Sequence, residues 1–292
     1  MSTLLSLVGE QPMPILLPSR FLQPERTLLV CTERSRSVAA RLLRLLPNAV
    51  CEEMDPYELP TILAQLAEVA PADQPMLVNL TGGTKMMMLG AFALAMQRDW
   101  DFVYLESERS PAALYRYTSA SGKLRLKEKV RLPALITLEE YLHAHLPGFH
   151  SQGFSPTKGG QFEKAVYDAL LPEVDEILAG VRPEGIADQI EMDLVIRIGN
   201  QVGVAEIKCG RMERPKQGID QLSTATSREY LGTYTARFLI TDTPLPVRIE
   251  RLAKEKQIGV VTLDRYWREA ASLASGDRQQ LVEAVRRRLA PR

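Results

Sequence analysis

The chain has 292 residues, long enough for two domains of ordinary size, and 45% of it is apolar, which supports genuine cores. Lysine plus arginine equals aspartate plus glutamate at 36 each, with 15 basic and 16 acidic residues in the first 150. No net field advertises a polyanionic partner, so any nucleic-acid contact must come from local clustering. Cys31, Cys51 and Cys209 are widely spaced without a CxxC pair, which argues against a zinc centre and a disulfide framework. No stretch approaches about 18 uninterrupted apolar residues and the start lacks a basic, apolar leader, so the reading is a cytoplasmic protein with no membrane contact.

In chain order, residues 4–8 read as a short strand broken by Gly9-Glu10-Gln11-Pro12, and a mixed segment runs to residue 21. A second strand, 27–31, ends in Thr32-Glu33-Arg34-Ser35, and helical spacing over 38–46 stops at Pro47. Residues 50–54 suit a third strand, 57–69 a helix with Pro60 in its first turn, 75–80 a strand, 84–97 a long helix and 101–105 another strand. This alternation predicts βαβ units and a mainly parallel sheet with right-handed crossovers. Residues 114–117 and 123–130 then form a hairpin around Ser121-Gly122.

Ligands of such sheets bind beyond the carboxyl ends of strands. The informative segment is Asn79-Leu80-Thr81-Gly82-Gly83-Thr84-Lys85, where a strand ends in a glycine pair and a helix opens with threonine and lysine. The glycines let the backbone approach a ligand, helix N-terminal amides suit a phosphate, and Lys85 adds charge. It is neither a P-loop nor a GxGxxG fingerprint, and an ordinary strand-to-helix turn with Thr84 as N-cap explains the same residues. The run Met86 to Met88 suits core or a subunit contact.

His143, His145 and His150 cluster before a Gly, Ser and Pro-rich stretch, 150–160, and read as a polar helix end entering a linker. That places domains at 1–150 and 151–292. An amphipathic helix over 161–171 follows, with Phe162, Val166, Ala169 and Leu170 as its inner stripe and Glu163 beside it.

The stretch 190–210 carries the most chemistry. Residues 194–198 and 202–207 are β-branched and apolar, and Gly199-Asn200 is a two-residue turn. With that turn, residues whose numbers sum to 399 face each other, so Asp193 lies opposite Glu206, and Lys208 projects on the face of Glu206. Two facing carboxylates repel unless a cation sits between them, and a divalent metal with hard oxygen ligands is the usual answer. Such a metal polarises a phosphodiester and lowers the pKa of bound water, while Lys208 holds that water or the developing charge. A turn at Asn200-Gln201 keeps all three on one face, a three-residue loop breaks the geometry, and a strand end with solvated charges is the bland reading.

Beyond the hairpin, 211–216 is a charged loop, 219–230 a helix carrying Gln221 and Arg228, 237–241 a strand, 247–256 a helix and 260–261 strand-like, before a last helix ending in Arg286-Arg287-Arg288. Gln221 is positioned to brace the site. Arg211, Arg214, Lys216 and Arg228 could contact phosphates, though each by itself reads as a surface residue before a ligand, and Asp188 is the runner-up to Asp193.

The opening Ser6-Leu7-Val8-Gly9-Glu10-Gln11-Pro12-Met13-Pro14, the Thr32-Glu33-Arg34-Ser35 turn and the Asn79 to Lys85 string resemble the CARF domain of CRISPR-associated ancillary nucleases. The second half is similar to the PD-(D/E)xK nuclease domain fused to it, and together the resemblance spans nearly the whole chain. It implies an α/β protein, a Rossmann-like CARF domain followed by a restriction-endonuclease-like domain. It also implies a homodimer that binds a cyclic oligoadenylate, most commonly cyclic tetra-adenylate, across its two-fold axis. Carried over by residue, the messenger lies on Ser6, Gln11, Thr32, Ser35, Asn79, Thr81, Gly82, Gly83, Thr84 and Lys85. The resemblance likewise implies that Asp193, Glu206 and Ile207 hold Mg or Mn, and that Glu163, Asp193, Glu206, Lys208 and Gln221 carry out cleavage of DNA and/or RNA in type III CRISPR antiviral defence. Two other classes remain open: a nucleotide-sensing regulator with an inactive nuclease-like domain, and a constitutive repair or restriction nuclease.

Overall fold

The computed structural model describes residues 3–70, 74–107, 112–120, 122–185, 190–210, 216–227, 230–266 and 272–290. They divide into two compact units, 1–136 and 137–292.

The first unit strings together β1 (Thr3–Leu7), α1 (Met13–Leu22), β2 (Arg26–Cys31), α2 (Arg36–Leu45), β3 (Ala49–Glu53), α3 (Leu59–Val69), β4 (Met76–Asn79), α4 (Lys85–Gln97), β5 (Phe102–Glu106), β6 (Ala113–Ala120) and β7 (Lys123–Arg131). Its seven-stranded sheet has the order β3-β2-β1-β4-β5-β6-β7. The first five strands are parallel and the last two close it as an antiparallel hairpin. The order reverses between β1 and β4, so the loops leaving those two strands open a crevice at the carboxyl edge. Under one face, Leu5, Leu7, Leu28, Val30 and Val78 pack against Ile62 and Leu66 of α3 and Met87, Ala91 and Leu94 of α4.

The mixed segment after Pro12 is a ten-residue helix, α1, despite Pro18 inside it. A proline there removes the N–H that the Pro14 carbonyl would accept. Asn79 Nδ2 from the end of β4 donates to that carbonyl at 2.8 Å instead. The carbonyl that Pro18 leaves without its helical donor is thus satisfied by a residue 65 positions away.

The second unit comprises α5 (Leu138–His145), β8 (Phe149–Ser151), α6 (Lys158–Leu170), β9 (Glu176–Pro183), β10 (Met192–Ile198), β11 (Gln201–Lys208), α7 (Lys216–Ala225), β12 (Ala236–Thr241), α8 (Val247–Glu255), β13 (Gly259–Thr262) and α9 (Ser275–Leu289). Its six-stranded sheet runs β13-β12-β11-β10-β9-β8. Strands β8 to β11 are antiparallel neighbours, and β11, β12 and β13 are parallel. The unit starts before the Gly, Ser and Pro-rich stretch rather than after it. Ser151 pairs with Val181 of β9, and Tyr141 of α5 hydrogen-bonds Thr235 and the Leu231 carbonyl, so these segments belong to the second core. Likewise β9 had no strand reading in the sequence, because Gly180 and Pro183 interrupt its pattern.

Phe162, Val166 and Leu170 of α6 and Leu281, Val285 and Leu289 of α9 cover Leu194, Ile196, Ala205 and Ile207 on one face of the sheet. Each of these side chains larger than alanine contributes about 1.5–3 kcal/mol by leaving water. The two middle strands are therefore clamped, and whatever projects from their other face is held on a rigid platform. No helix among the described residues is long and apolar enough to cross a membrane.

Candidate functional site

Gly199 sits at φ 61°, the positive value that a two-residue hairpin turn requires at its first central position. The ladder pairs Ile198 with Gln201, Val195 with Val204 and Leu194 with Ala205, which is the register expected from the sequence. Leu194 and Ala205 point into the core, so Asp193 and Glu206, one step further, point to the opposite face. There the Asp193 carboxylate itself takes the Ile207 N–H, with Oδ2 accepting at 2.6 Å. Lys208 Nζ lies 2.5 Å from Glu206 Oε1. The three predicted side chains are brought together.

Glu206 is 2% exposed, an extreme position for a carboxylate. Burial raises its pKa and only the Lys208 ammonium opposes that strongly, with Glu163 and Glu191 pushing it further up. Asp193 is held well above the usual carboxylate range by burial and by Glu206, against the pull of the Ile207 amide. Burial works against the Lys208 charge, but Glu206, Asp193 and Glu163 override it and hold the ammonium above its ordinary range. One ammonium thus serves a crowd of buried acids, the electrostatic condition under which a cation is strongly attracted.

Helix α6 brings Glu163 to the edge of this cluster, half-buried, its pKa raised by burial and by Glu191 and lowered by Lys208. Helix α7 crosses the functional face. A β-carbon on Gly218 would lie 3.5 Å from Glu206 Cγ and 3.9 Å from Lys208 Cε, so the helix rests directly on the pair. Gln221 follows three residues on, with its buried Oε1 lacking a hydrogen-bond partner among the described residues. Lys216 is an exposed helix residue 3.8 Å from Asp220. Asp188, Arg211, Arg214 and Arg228 lie outside the described residues.

Two residues at this end were not singled out in the sequence. Asp242 is 4% exposed and takes the Gly210 N–H at 2.7 Å and the Thr243 hydroxyl at 3.0 Å, anchoring the turn after Lys208. Thr241 stands level with Lys208 in the β11–β12 ladder and is 1% exposed. Their signal was only a Thr-Asp pair ending a strand, which strand-end capping explains equally well.

Among the described residues no group of three or more His, Cys, Asp or Glu side chains is gathered as a metal cage. The donors at hand are two carboxylates, with main-chain oxygen beside them. That set suits Mg or Mn, which bind through one or two carboxylates and keep several waters, better than a dedicated cage metal.

In the first unit, the loops after β1 and β4 touch. A β-carbon on Gly9 would lie 3.2 Å from the Gly83 nitrogen, one on Gly83 would lie 2.9 Å from Leu7 Cβ, and one on Gly82 would run into the Leu7 carbonyl. The glycine pair is thus demanded by close packing on β1. Ser6 and Asn79 are fully buried, and Asn79 Oδ1 accepts from the Thr81 amide and hydroxyl at 3.1 and 2.7 Å. Thr32 and Ser35 satisfy each other as a reciprocal cap, and Thr84 caps α4 through Met87 N–H while donating to the Pro56 carbonyl. These side chains shape the loops. What the loops leave partly open is Gly9, Gln11, Thr81, Gly82, Gly83 and Thr84, with Lys85 exposed. Gln11 Nε2 is buried without a partner among the described residues, a donor held ready at the crevice.

Residues 3–141 match the family model of the Card1 CARF domain. The first unit is a CARF domain with a Rossmann-like sheet, and the chain is an α/β protein in which a second α/β unit follows it. The structure is similar to that of Can2 from Sulfobacillus thermosulfidooxidans in complex with cyclic tetra-adenylate, over 99% of both chains, at 16% identity and a TM-score of 0.75. It is also similar to protein VC1899 from Vibrio cholerae, over 94% of this chain and 99% of that one, at 12% identity and a TM-score of 0.71. A type III CRISPR defence DNA nuclease activated by cyclic oligoadenylate is similar over 90% of this chain and 42% of its own, at 16% identity and a TM-score of 0.59. At these identities the likeness concerns the fold. No curated protein sequence matches the chain.

Proposed function

We propose that the chain is a metal-dependent endonuclease, cutting DNA and/or RNA phosphodiesters, and switched on by a cyclic oligoadenylate in type III CRISPR defence. The observation that carries this reading is the convergence of Asp193, Glu206 and Lys208 on one buried face, with Lys208 Nζ 2.5 Å from Glu206. Asp193, Glu206 and the main-chain carbonyl of Ile207 would hold Mg or Mn; bound there, the metal polarises the phosphodiester and lowers the pKa of a water. Lys208 then holds the attacking water or the charge that develops on the phosphate. Glu163 extends the acidic wall, and Gln221 braces it from α7.

The messenger end rests on the CARF domain and on the likeness to a Can2 structure that contains cyclic tetra-adenylate, the activator adopted here. Its phosphates suit the Gly82-Gly83 amides, the N-terminus of α4 and Lys85, and Gln11 Nε2 offers a further donor. A ring with two-fold symmetry needs the same loops presented twice, which a C2 homodimer supplies. Helix α4 is apolar nearly all round, with Leu89 45% exposed, as expected of a helix that a second copy covers. The two sites then couple through the dimer.

The test is cleavage of defined single- and double-stranded oligonucleotides with Mg or Mn and a panel of cyclic oligoadenylates. Glu206→Ala should abolish cleavage and leave messenger affinity intact. Lys85→Ala should weaken messenger binding about tenfold, the size of one charge-assisted hydrogen bond, with cleavage restored at high messenger. Equal cleavage with and without messenger would leave a constitutive nuclease. No cleavage, together with no metal binding by titration, would leave a messenger-sensing regulator.

A further inference from the structure

Thr241 closes β12 beside the candidate catalytic lysine. In the parallel ladder it is level with Lys208, as Leu239 is with Glu206, and residues level with each other share a face. Its hydroxyl is buried with no hydrogen-bond partner among the described residues. Gln221 Oε1, three residues after the glycine that rests on Glu206 and Lys208, is buried and unpartnered as well. Beyond the ammonium 2.5 Å away, Glu206 Oε1 has no hydrogen-bond donor among the described residues. Three buried acceptors therefore lie on the face of the sheet that carries Lys208, whose ammonium has three N–H groups to give and is seen here only on Glu206 among the described residues. Buried groups of this kind are rarely left unpaired, so the two acceptors that the ammonium does not reach here offer it a second seat.

We propose that Thr241 is a positioning residue for Lys208, a role that rests on the nuclease reading above. When Glu206 gives its oxygens to a divalent cation, the ammonium leaves Oε1 and is held by Thr241 Oγ1 and Gln221 Oε1. That second seat turns the lysine from a counter-ion of Glu206 into a donor free to face the substrate phosphate. In the seat seen here Lys208 neutralises Glu206, and in the other it acts on the reacting group.

Two measurements on the full-length protein decide this. The first is the acylation rate of the Lys208 amine, read by mass spectrometry with EDTA and with Mg. Thr241→Val, which keeps the shape and removes the hydroxyl, should leave the EDTA rate unchanged and raise the Mg rate about tenfold, the worth of one charge-assisted hydrogen bond. Thr241→Ser should return it to the wild-type value. The second is messenger-activated cleavage, where the valine variant should lose at least tenfold in kcat with KM and metal affinity unchanged, and the serine variant should recover. Unchanged acylation in Mg overturns the proposal, and so does a kcat loss that serine fails to rescue. A wild type that never cleaves sinks the nuclease reading instead, and the acylation rates still decide where the ammonium sits.

Discussion

Asp193→Asn should stabilise the metal-free protein at neutral pH while abolishing the stabilisation that Mg or Mn confers. Carboxyls directly opposite across a hairpin lie about 5 Å apart, and two unit charges at that distance repel by about 3 kcal/mol at an effective dielectric constant of about 20. The Lys208 contact with Glu206 offsets part of this. An asparagine keeps an oxygen for the Ile207 N–H that Asp193 now accepts at 2.6 Å, so the ladder end survives. A net gain of about 1–2 kcal/mol remains, roughly 2–8 °C in Tm for a unit of this size. Burial raises both carboxyl pKa values, so the folded state holds protons more tightly than the unfolded chain. Wild-type stability therefore falls as pH climbs from about 4 through those raised values, and the advantage of the variant opens over the same window. Below about pH 4 the two proteins should melt together. The assay is thermal unfolding from pH 4 to 9 in EDTA, repeated with saturating Mg or Mn, where ligand binding to the folded state alone raises the wild-type Tm. A variant that melts below wild type at pH 8 in EDTA, or that keeps the full metal-induced rise, refutes the argument.

Gly82→Ala should cost at least 1–3 kcal/mol and destabilise the first unit, because the new methyl is driven into the Leu7 carbonyl, a backbone atom with nowhere to move; denaturant unfolding of that unit reads it. Leu89→Asp, on the exposed flank of α4, should give a monomer by light scattering, with messenger-dependent cleavage lost and metal binding kept. A dimeric aspartate variant would move the subunit contact elsewhere.

Much of the candidate centre was legible because hairpin geometry is local. One glycine at the turn and a side-chain period of two determine that Asp193, Glu206 and Lys208 share a face, and residues within about fifteen positions of each other across one tight turn leave little freedom. The strand-helix alternation of the first unit was legible for the same reason, each element carrying its own period. Helix α1 was not, since the carbonyl that Pro18 orphans is satisfied by Asn79, far along the chain. Strand β9 was hidden by Gly180 and Pro183, and its existence depends on partners in β8 and β10.

The sequence by itself determined the pairing of the two acids, the lysine beside them and the glycine pair at the end of β4. Only the tertiary structure decided how deeply Glu206 is buried, that α7 rests on it through Gly218, and that Thr241 stands at the lysine's side with its hydroxyl unpaired among the described residues. The physical reason is that covalent spacing constrains neighbours along a strand, whereas burial and cross-sheet company come from packing, which no run of twenty residues encodes.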